Sequence, residues 1–168
     1  MKRKGYTLVE MVVALIVVGI LSGLAIIIIS SAMRGIQLNT AAERLAADLR
    51  YAQNMASGTA RWYGVSFEAN PANFYTLYTT TGTIDATIDN PAKAGSNFVI
   101  NTNTDFGVTI SGVSVDGGGK KVEFHPFGTP YRDKTSSVIT TEAVITLMKS
   151  SSTRTVRITP ETGRIYIQ

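Results

Sequence analysis

The chain has 168 residues, room for one ordinary domain and an appendage. It has no cysteine, which excludes disulfides, thiol catalysis and thiolate metal sites. The formal charge is +4, but three of the 16 basic residues are Lys2, Arg3 and Lys4, and the remainder nearly balances the 12 acids, so charge alone does not point to a nucleic-acid partner.

The first element predicted along the chain is an apolar helix. Met11 to Met33 contains no charged residue. A bilayer core of ~30 Å needs ~20 such residues in helical form. The three cations that precede the run keep the N-terminus cytoplasmic by the positive-inside rule. A secretory signal peptide has a shorter apolar core of ~7–15 residues and a small-residue cleavage site. Here the run ends in the bulky, β-branched Ile26 to Ile29. Glu10 stands at its cytoplasmic start, where an ionisable group is costly and marks a functional site. Gly19 and Gly23 form a G-x-x-x-G that permits close helix approach.

The helical period continues past Met33. Leu38, Ala41/Ala42, Leu45, Leu49, Ala52 and Met55/Ala56 recur at spacings of three and four. Arg34, Glu43, Arg44, Asp48 and Arg50 lie mostly off that stripe, and Arg44 and Asp48 can pair at i,i+4. Gly58 is the expected stop. The pattern allows one helix from about Tyr6 to Ser57, or two with a break near Ser30–Ser31. The first half is apolar all round and the second amphipathic, so the second must pack on the rest of the chain.

After Gly58 the period becomes two. Tyr63, Val65 and Phe67 alternate with Gly64, Ser66 and Glu68, and Phe74 to Tyr78 reads as a second strand. Residues 79–97 read as a long exposed loop. Further strands are predicted at Phe98–Ile100, Val108–Val115, Lys121–Phe124, Val138–Ile139, Ala143–Met148, Thr153–Thr159 and Arg164–Ile167. Asp116-Gly117-Gly118-Gly119 is predicted as a hairpin turn. As a phosphate loop it lacks the following Lys-Ser/Thr and helix. Short strands without intervening helices predict an α+β fold, a long N-terminal helix on an antiparallel β-sheet domain.

The stretch Gly5-Tyr6-Thr7-Leu8-Val9-Glu10 resembles a prepilin processing motif. Val122-Glu123-Phe124-His125-Pro126-Phe127-Gly128 resembles a strand-Pro-x-Gly element of GspH/FimT domains, and Arg157-Ile158-Thr159-Pro160-Glu161-Thr162-Gly163-Arg164-Ile165 resembles their terminal hairpin. With the long helix, the likeness to this family of minor pilins and pseudopilins covers nearly the whole chain. It implies a pilin fold. It also implies cleavage by a prepilin peptidase between Gly5 and Tyr6 and N-methylation of Tyr6, where the family usually has Phe. Glu10 would be the mature fifth residue, pairing with the α-amine of a neighbouring subunit. The implied organisation is a leader at 1–5, a transmembrane and assembly helix at 6–33, its amphipathic continuation at 34–58 and a β-rich domain at 59–168.

The implied function is that of a minor structural subunit of a type IV pilus or a type II secretion pseudopilus, in filament initiation or at the tip. Its implied partners are the peptidase, other pilin or pseudopilin subunits and an inner-membrane assembly platform. The expected location is the bacterial inner membrane, single-pass, with an extracytoplasmic C-terminal domain, and then the filament. The alternative is a minor pilin that captures DNA for uptake, through Lys149, Arg154, Arg157, Arg164 and Tyr166. If Pro160–Gly163 forms the turn, Ile158 faces Ile165 and Arg157 faces Tyr166, with Arg157, Arg164 and Tyr166 on the outer face.

Little suggests catalysis. His125 is the only histidine and sits beside a Pro turn, which favours a structural role. Asp85, Asp89, Asp105 and Asp116 are scattered without calcium-loop spacing. No enzyme activity, cofactor or metal is expected.

Overall fold

The computed structural model describes residues 7–168, apart from the side chains of 24–28 and 31. Helix α1 runs from Leu8 to Thr59 as one element. The chain divides into two units, Met1–Ile36 and Gln37–Gln168. In the first, every large apolar side chain from Leu8 to Leu21 is exposed. In the second, the expected stripe is the buried face: Leu38, Ala41, Ala42, Leu45, Leu49, Ala52 and Ala56 are at most 3% exposed. They share one core cluster with Val65, Phe67, Leu77, Ile145 and Val156 from the strands.

Two features of α1 differ from expectation. The helix passes Gly58 and ends at Thr59, where Ala60 turns left-handed at φ 53°. Asp48 is buried on the stripe and not off it. Its carboxylate accepts from Tyr75 Oη at 2.7 Å and from Arg44 Nε at 3.0 Å. A buried carboxylate needs such partners. Burial is the main influence on Asp48 and raises its pKa, partly opposed by the Tyr75 hydrogen bond.

The strands are β1 Trp62–Glu68, β2 Phe74–Thr80, β3 Asp85–Thr87, β4 Asp89–Asn90, β5 Lys93–Asn97, β6 Val99–Asn101, β7 Thr109–Ser114, β8 Lys121–Phe124, β9 Pro130–Tyr131, β10 Ala143–Lys149, β11 Ser152–Ile158 and β12 Ile165–Ile167. All pairings are antiparallel. A six-stranded sheet follows the order β3-β2-β1-β8-β9, with β6 also on β2. A four-stranded sheet follows β12-β11-β10-β7, and β4-β5 is a small ribbon. Asn73, buried and left-handed, joins the two larger sheets: its Oδ1 accepts from Ile110 N at 3.0 Å.

The α+β expectation holds, with local corrections. Residues 79–97 are not one loop. They hold β3, which pairs Tyr78 with Thr87, and the β4–β5 ribbon. Val138–Ile139 is only an isolated bridge to Tyr131. Helix α2, Thr102–Phe106, and strand β9 were not expected. Asp116–Gly118 is a 3-10 turn and not a hairpin, because β7 and β8 belong to different sheets. The Asp116 carboxylate accepts from the amides and hydroxyls of Thr140 and Thr141, which fastens this crossing.

One row of the large sheet is tightly packed. Gly64 lies between Tyr78 and Glu123 in the pairing register. A Cβ there would stand 2.5 Å from Tyr78 Cζ and 2.9 Å from Glu123 Cγ. The missing side chain lets Tyr78 Oη reach over it to Glu123 Oε1 at 2.7 Å.

Candidate functional site

The N-terminal candidates fall on both sides of the described boundary. Gly5 and Tyr6 lie outside the described residues. Glu10 is exposed in the first turn of α1. Thr7 N donates to Glu10 Oε2 at 3.4 Å, and Glu10 N donates to Thr7 Oγ1 at 3.3 Å. This is a capping box, in which two otherwise orphaned amides are satisfied reciprocally. Gly19 and Gly23 are exposed, with no atom within 4 Å of a built Cβ, so both leave the helix surface open. Among the described residues no helix is long and apolar enough to cross a membrane. The uncharged run from Met11 to Met33 includes residues 24–28 and 31, whose side chains are outside that description.

At the other end of the chain, β11 and β12 pair in the expected register: Arg157 with Tyr166 and Ile158 with Ile165. Glu161 and Gly163 in the connecting turn are left-handed at φ 61° and 64°. Gly163 meets a further demand, since a Cβ would lie 2.6 Å from Gly128 O. Gln53 Nε2 on α1 donates to Gly128 O at 2.9 Å and to Gly163 O at 3.2 Å. The strand-Pro-x-Gly segment and the terminal hairpin therefore meet at one glutamine of the helix.

The structure does not gather the four basic candidates. Residues 154, 156 and 158 share one face of β11, and Val156 and Ile158 are buried there. Arg154 is thus on the inner side, beyond the core, where its Nε donates to Asn39 Oδ1 at 2.9 Å. Lys149 is on the inner side of β10, where its Nζ donates to Phe106 O at 3.1 Å. Arg157 is on the outer face but paired, with Nη1 2.7 Å from Glu142 Oε2. Tyr166 Oη also donates to Glu142. Those two hydrogen bonds, Tyr166 first, hold the Glu142 carboxyl below its usual pKa, and Glu142 raises the pKa of Arg157 and of Tyr166. On the outer face Arg164 is the candidate outside an ion pair, 6.0 Å from the Tyr166 ring centre, while Arg154 stays exposed on the other side, bonded only to a neutral amide. The hairpin therefore offers one cation beside one aromatic. Glu142 was missed because it lies outside the strands, 15 residues before the arginine it neutralises.

His125 accepts at Nδ1 from Phe127 N at 3.1 Å and packs against Trp62. No hydrogen bond joins it to an Asp or Glu among the described residues. Among those residues, too, no three His, Asp or Glu side chains converge as a metal site.

Residues 1–26 match the family model of the prokaryotic N-terminal methylation motif. The fold is similar to the minor pseudopilin EpsH from the type 2 secretion system of Vibrio cholerae, at TM-score 0.56 and 10% identity, over 79% of this chain and 96% of that one. The chain joins an N-terminal methylation motif to a pilin fold. The type IV minor pilin FimU of Pseudomonas aeruginosa is also similar, at 17% identity and TM-score 0.48 over 78% of this chain and 87% of that one. No curated protein matches the sequence.

Proposed function

We propose that the chain is a minor structural subunit of a type IV pilus or of a type II secretion pseudopilus, acting in filament initiation or at the tip. The observation that carries this reading is the methylation motif, matched over residues 1–26 and running into a stretch without charge up to Met33. The pilin fold behind it supports the same reading.

On this reading prepilin peptidase cuts between Gly5 and Tyr6 and methylates the Tyr6 amine. Residues 6–33 anchor the chain in the inner membrane and later enter the filament. Lys2, Arg3 and Lys4 hold the N-terminus in the cytoplasm, so the β-rich domain from residue 59 is extracytoplasmic. Residues 34–58 continue the helix. Glu10 pairs with a neighbour's α-amine, which offsets the desolvation of both charges. Gly19 and Gly23 let neighbouring helices close in. The partners are the peptidase, other pilin-type subunits and an assembly platform. The chain does no catalysis and holds no cofactor. DNA capture is the second reading, favoured only by Arg164 over Tyr166 and opposed by the pairing of Arg157 with Glu142.

Mass spectrometry of the N-terminal peptide, from membranes that contain a prepilin peptidase, tests the proposal. The expected peptide starts at methylated Tyr6. An intact Met1 in such membranes, or a start after Ala32, overturns it.

A further inference from the structure

Trp62, His125, Phe127 and Tyr131 form an aromatic cluster. Trp62 packs edge-to-face with His125, centroids 4.8 Å apart, and with Tyr131 at 4.9 Å. His125 in turn lies 5.0 Å from Phe127. The first two and Tyr131 are half-buried, whereas Phe127 is 89% exposed. A lone exposed apolar side chain is ordinary. This one is held in place. Its own amide donates to His125 Nδ1, Gly128 N donates to His125 O at 2.7 Å, and Gln53 ties Gly128 O to α1. An aromatic on a fixed turn loses little freedom when it is buried by a partner, which is what an interface anchor requires.

Trp62 also walls a hollow of about 340 Å³, with Ala60, Ile84, Ala86, Arg61 and Lys134. Ile84 is 68% exposed. Arg61 and Lys134 enter no ion pair among the described residues. Lys134 Nζ lies 5.8 Å from the Trp62 ring centre. The nearby carboxylates are engaged: Glu123 at 3.0 Å, Asp133 at 2.7 Å and Asp85 at 4.0 Å all face Lys121. The surface thus combines an apolar knob with a hollow whose walls are alanines, Ile84, Trp62 and the threonines Thr79 to Thr81, and which two cations and no carboxylate line.

We propose that Phe127 and the hollow beside Trp62 dock the globular domain of a neighbouring pilin-type subunit, one whose facing surface carries apolar side chains bordered by carboxylates. This rests on the reading of the chain as a filament subunit. Charge complementarity assigns the carboxylates, because Arg61 and Lys134 line the hollow without a carboxylate within 4 Å among the described residues. Single-stranded nucleic acid fits less well. It needs several open ring faces, and here Lys134, His125 and Tyr131 crowd Trp62 and leave one ring free.

The test places a photoreactive aromatic at the knob, Phe127→p-benzoylphenylalanine, in the full chain, in cells that assemble the filament. After irradiation the cross-linked peptide is identified by mass spectrometry. The expected adduct is to a different chain bearing an N-terminal methylation motif, on a peptide with apolar and acidic residues. An adduct only to nucleic acid, to lipid or to a second copy of this chain, or no adduct, overturns the proposal. In parallel, Phe127→Ala and the double variant Arg61→Glu with Lys134→Glu should lower the amount recovered in sheared filaments about tenfold, with membrane levels unchanged. Glu10→Ala separates the two readings. If it abolishes recovery while Phe127→Ala does not, the docking surface is refuted and the subunit reading stands. If neither variant changes recovery, both fail.

Discussion

Thr7 and Glu10 cap one another at the start of α1, each side chain meeting the other's backbone amide. The residue proposed to pair with a neighbour's amine is therefore already engaged within its own chain. Its carboxylate can leave the cap only if the new partner repays the loss. A capping box is worth about 0.5–2 kcal/mol, and a desolvated charge pair left half-made costs more, so the exchange favours assembly.

This gives a prediction that separates charge from cap. Glu10→Gln keeps a side-chain acceptor for the Thr7 amide but removes the charge. Thr7→Ala removes the hydroxyl acceptor and keeps the charge. Filament recovery should fall strongly for Glu10→Gln and mildly for Thr7→Ala, with equal amounts of both in membranes. Equal recovery of the two variants would show that the cap, and not the charge, is what assembly uses.

The second prediction concerns the core. Leu45 and Leu49 are fully buried, and the cluster they join includes both larger sheets. A fragment of residues 34–168 should be monomeric and melt cooperatively. A fragment of residues 61–168 loses the helix face, exposes its apolar counterpart and should aggregate. Within the longer fragment Leu45→Ala should cost about 2–5 kcal/mol in a denaturant melt. Equal solubility of the two fragments would remove α1 from the core.

The acid limb of stability should depend on Asp133. The Lys121 hydrogen bond, and then the Thr135 amide, lower its pKa from 3.8 to about 2. Its folded-state pKa is depressed, so its contribution is present above about 3.8 and is lost as pH falls through about 2. Asp48 runs the other way, because burial raises its pKa, and it adds nothing to this loss. In thermal melts of the 34–168 fragment, the gap between wild type and Asp133→Asn should be open at pH 5 and shrink toward pH 2. A gap that stays constant with pH would show that Asp133 contributes no proton-linked stability.

Much of the architecture was legible in the sequence, for identifiable reasons. The stripe from Leu38 to Ala56 has helical spacing, and burial follows spacing. The pairing of Ile158 with Ile165 follows from a four-residue turn, since turn length sets register. What was not legible depends on distant partners. Asp48 is buried because Tyr75, 27 residues away, donates to it. Strand β3 has no alternating pattern and exists because β2 offers it an edge. At the candidate sites Glu10 stood out, as a lone charge before an apolar run. Its bond to Thr7 has the T-x-x-E signature of a capping box, overlaid on the processing motif. In the terminal hairpin the register is legible from the turn, whereas the pairing of Arg157 is not, because Glu142 reaches it from outside the strands.

The Glu142 contact yields the last prediction. Nonspecific DNA binding is driven by counterion release, and each phosphate contact contributes ~0.7–0.9 to the salt slope. Arg157 is held by Glu142 at 2.7 Å, and Lys149 and Arg154 are turned to the inner side of their strands, so on the hairpin's outer face Arg164 is the one candidate left unpaired. The outer face of the hairpin should therefore add only about one contact to the salt slope of the 34–168 fragment. Glu142→Gln removes the competing charge while keeping an acceptor for Tyr166. It should raise the slope by about one further contact, and adding Arg157→Ala should cancel that gain. Replacing Lys120 and Lys121 should change little. A mobility-shift titration across salt concentrations measures all four. Micromolar affinity of the wild-type fragment at physiological salt, lost in Arg157→Ala with Arg164→Ala, would show that phosphate outcompetes Glu142 for Arg157, and would place DNA uptake ahead of a purely structural role.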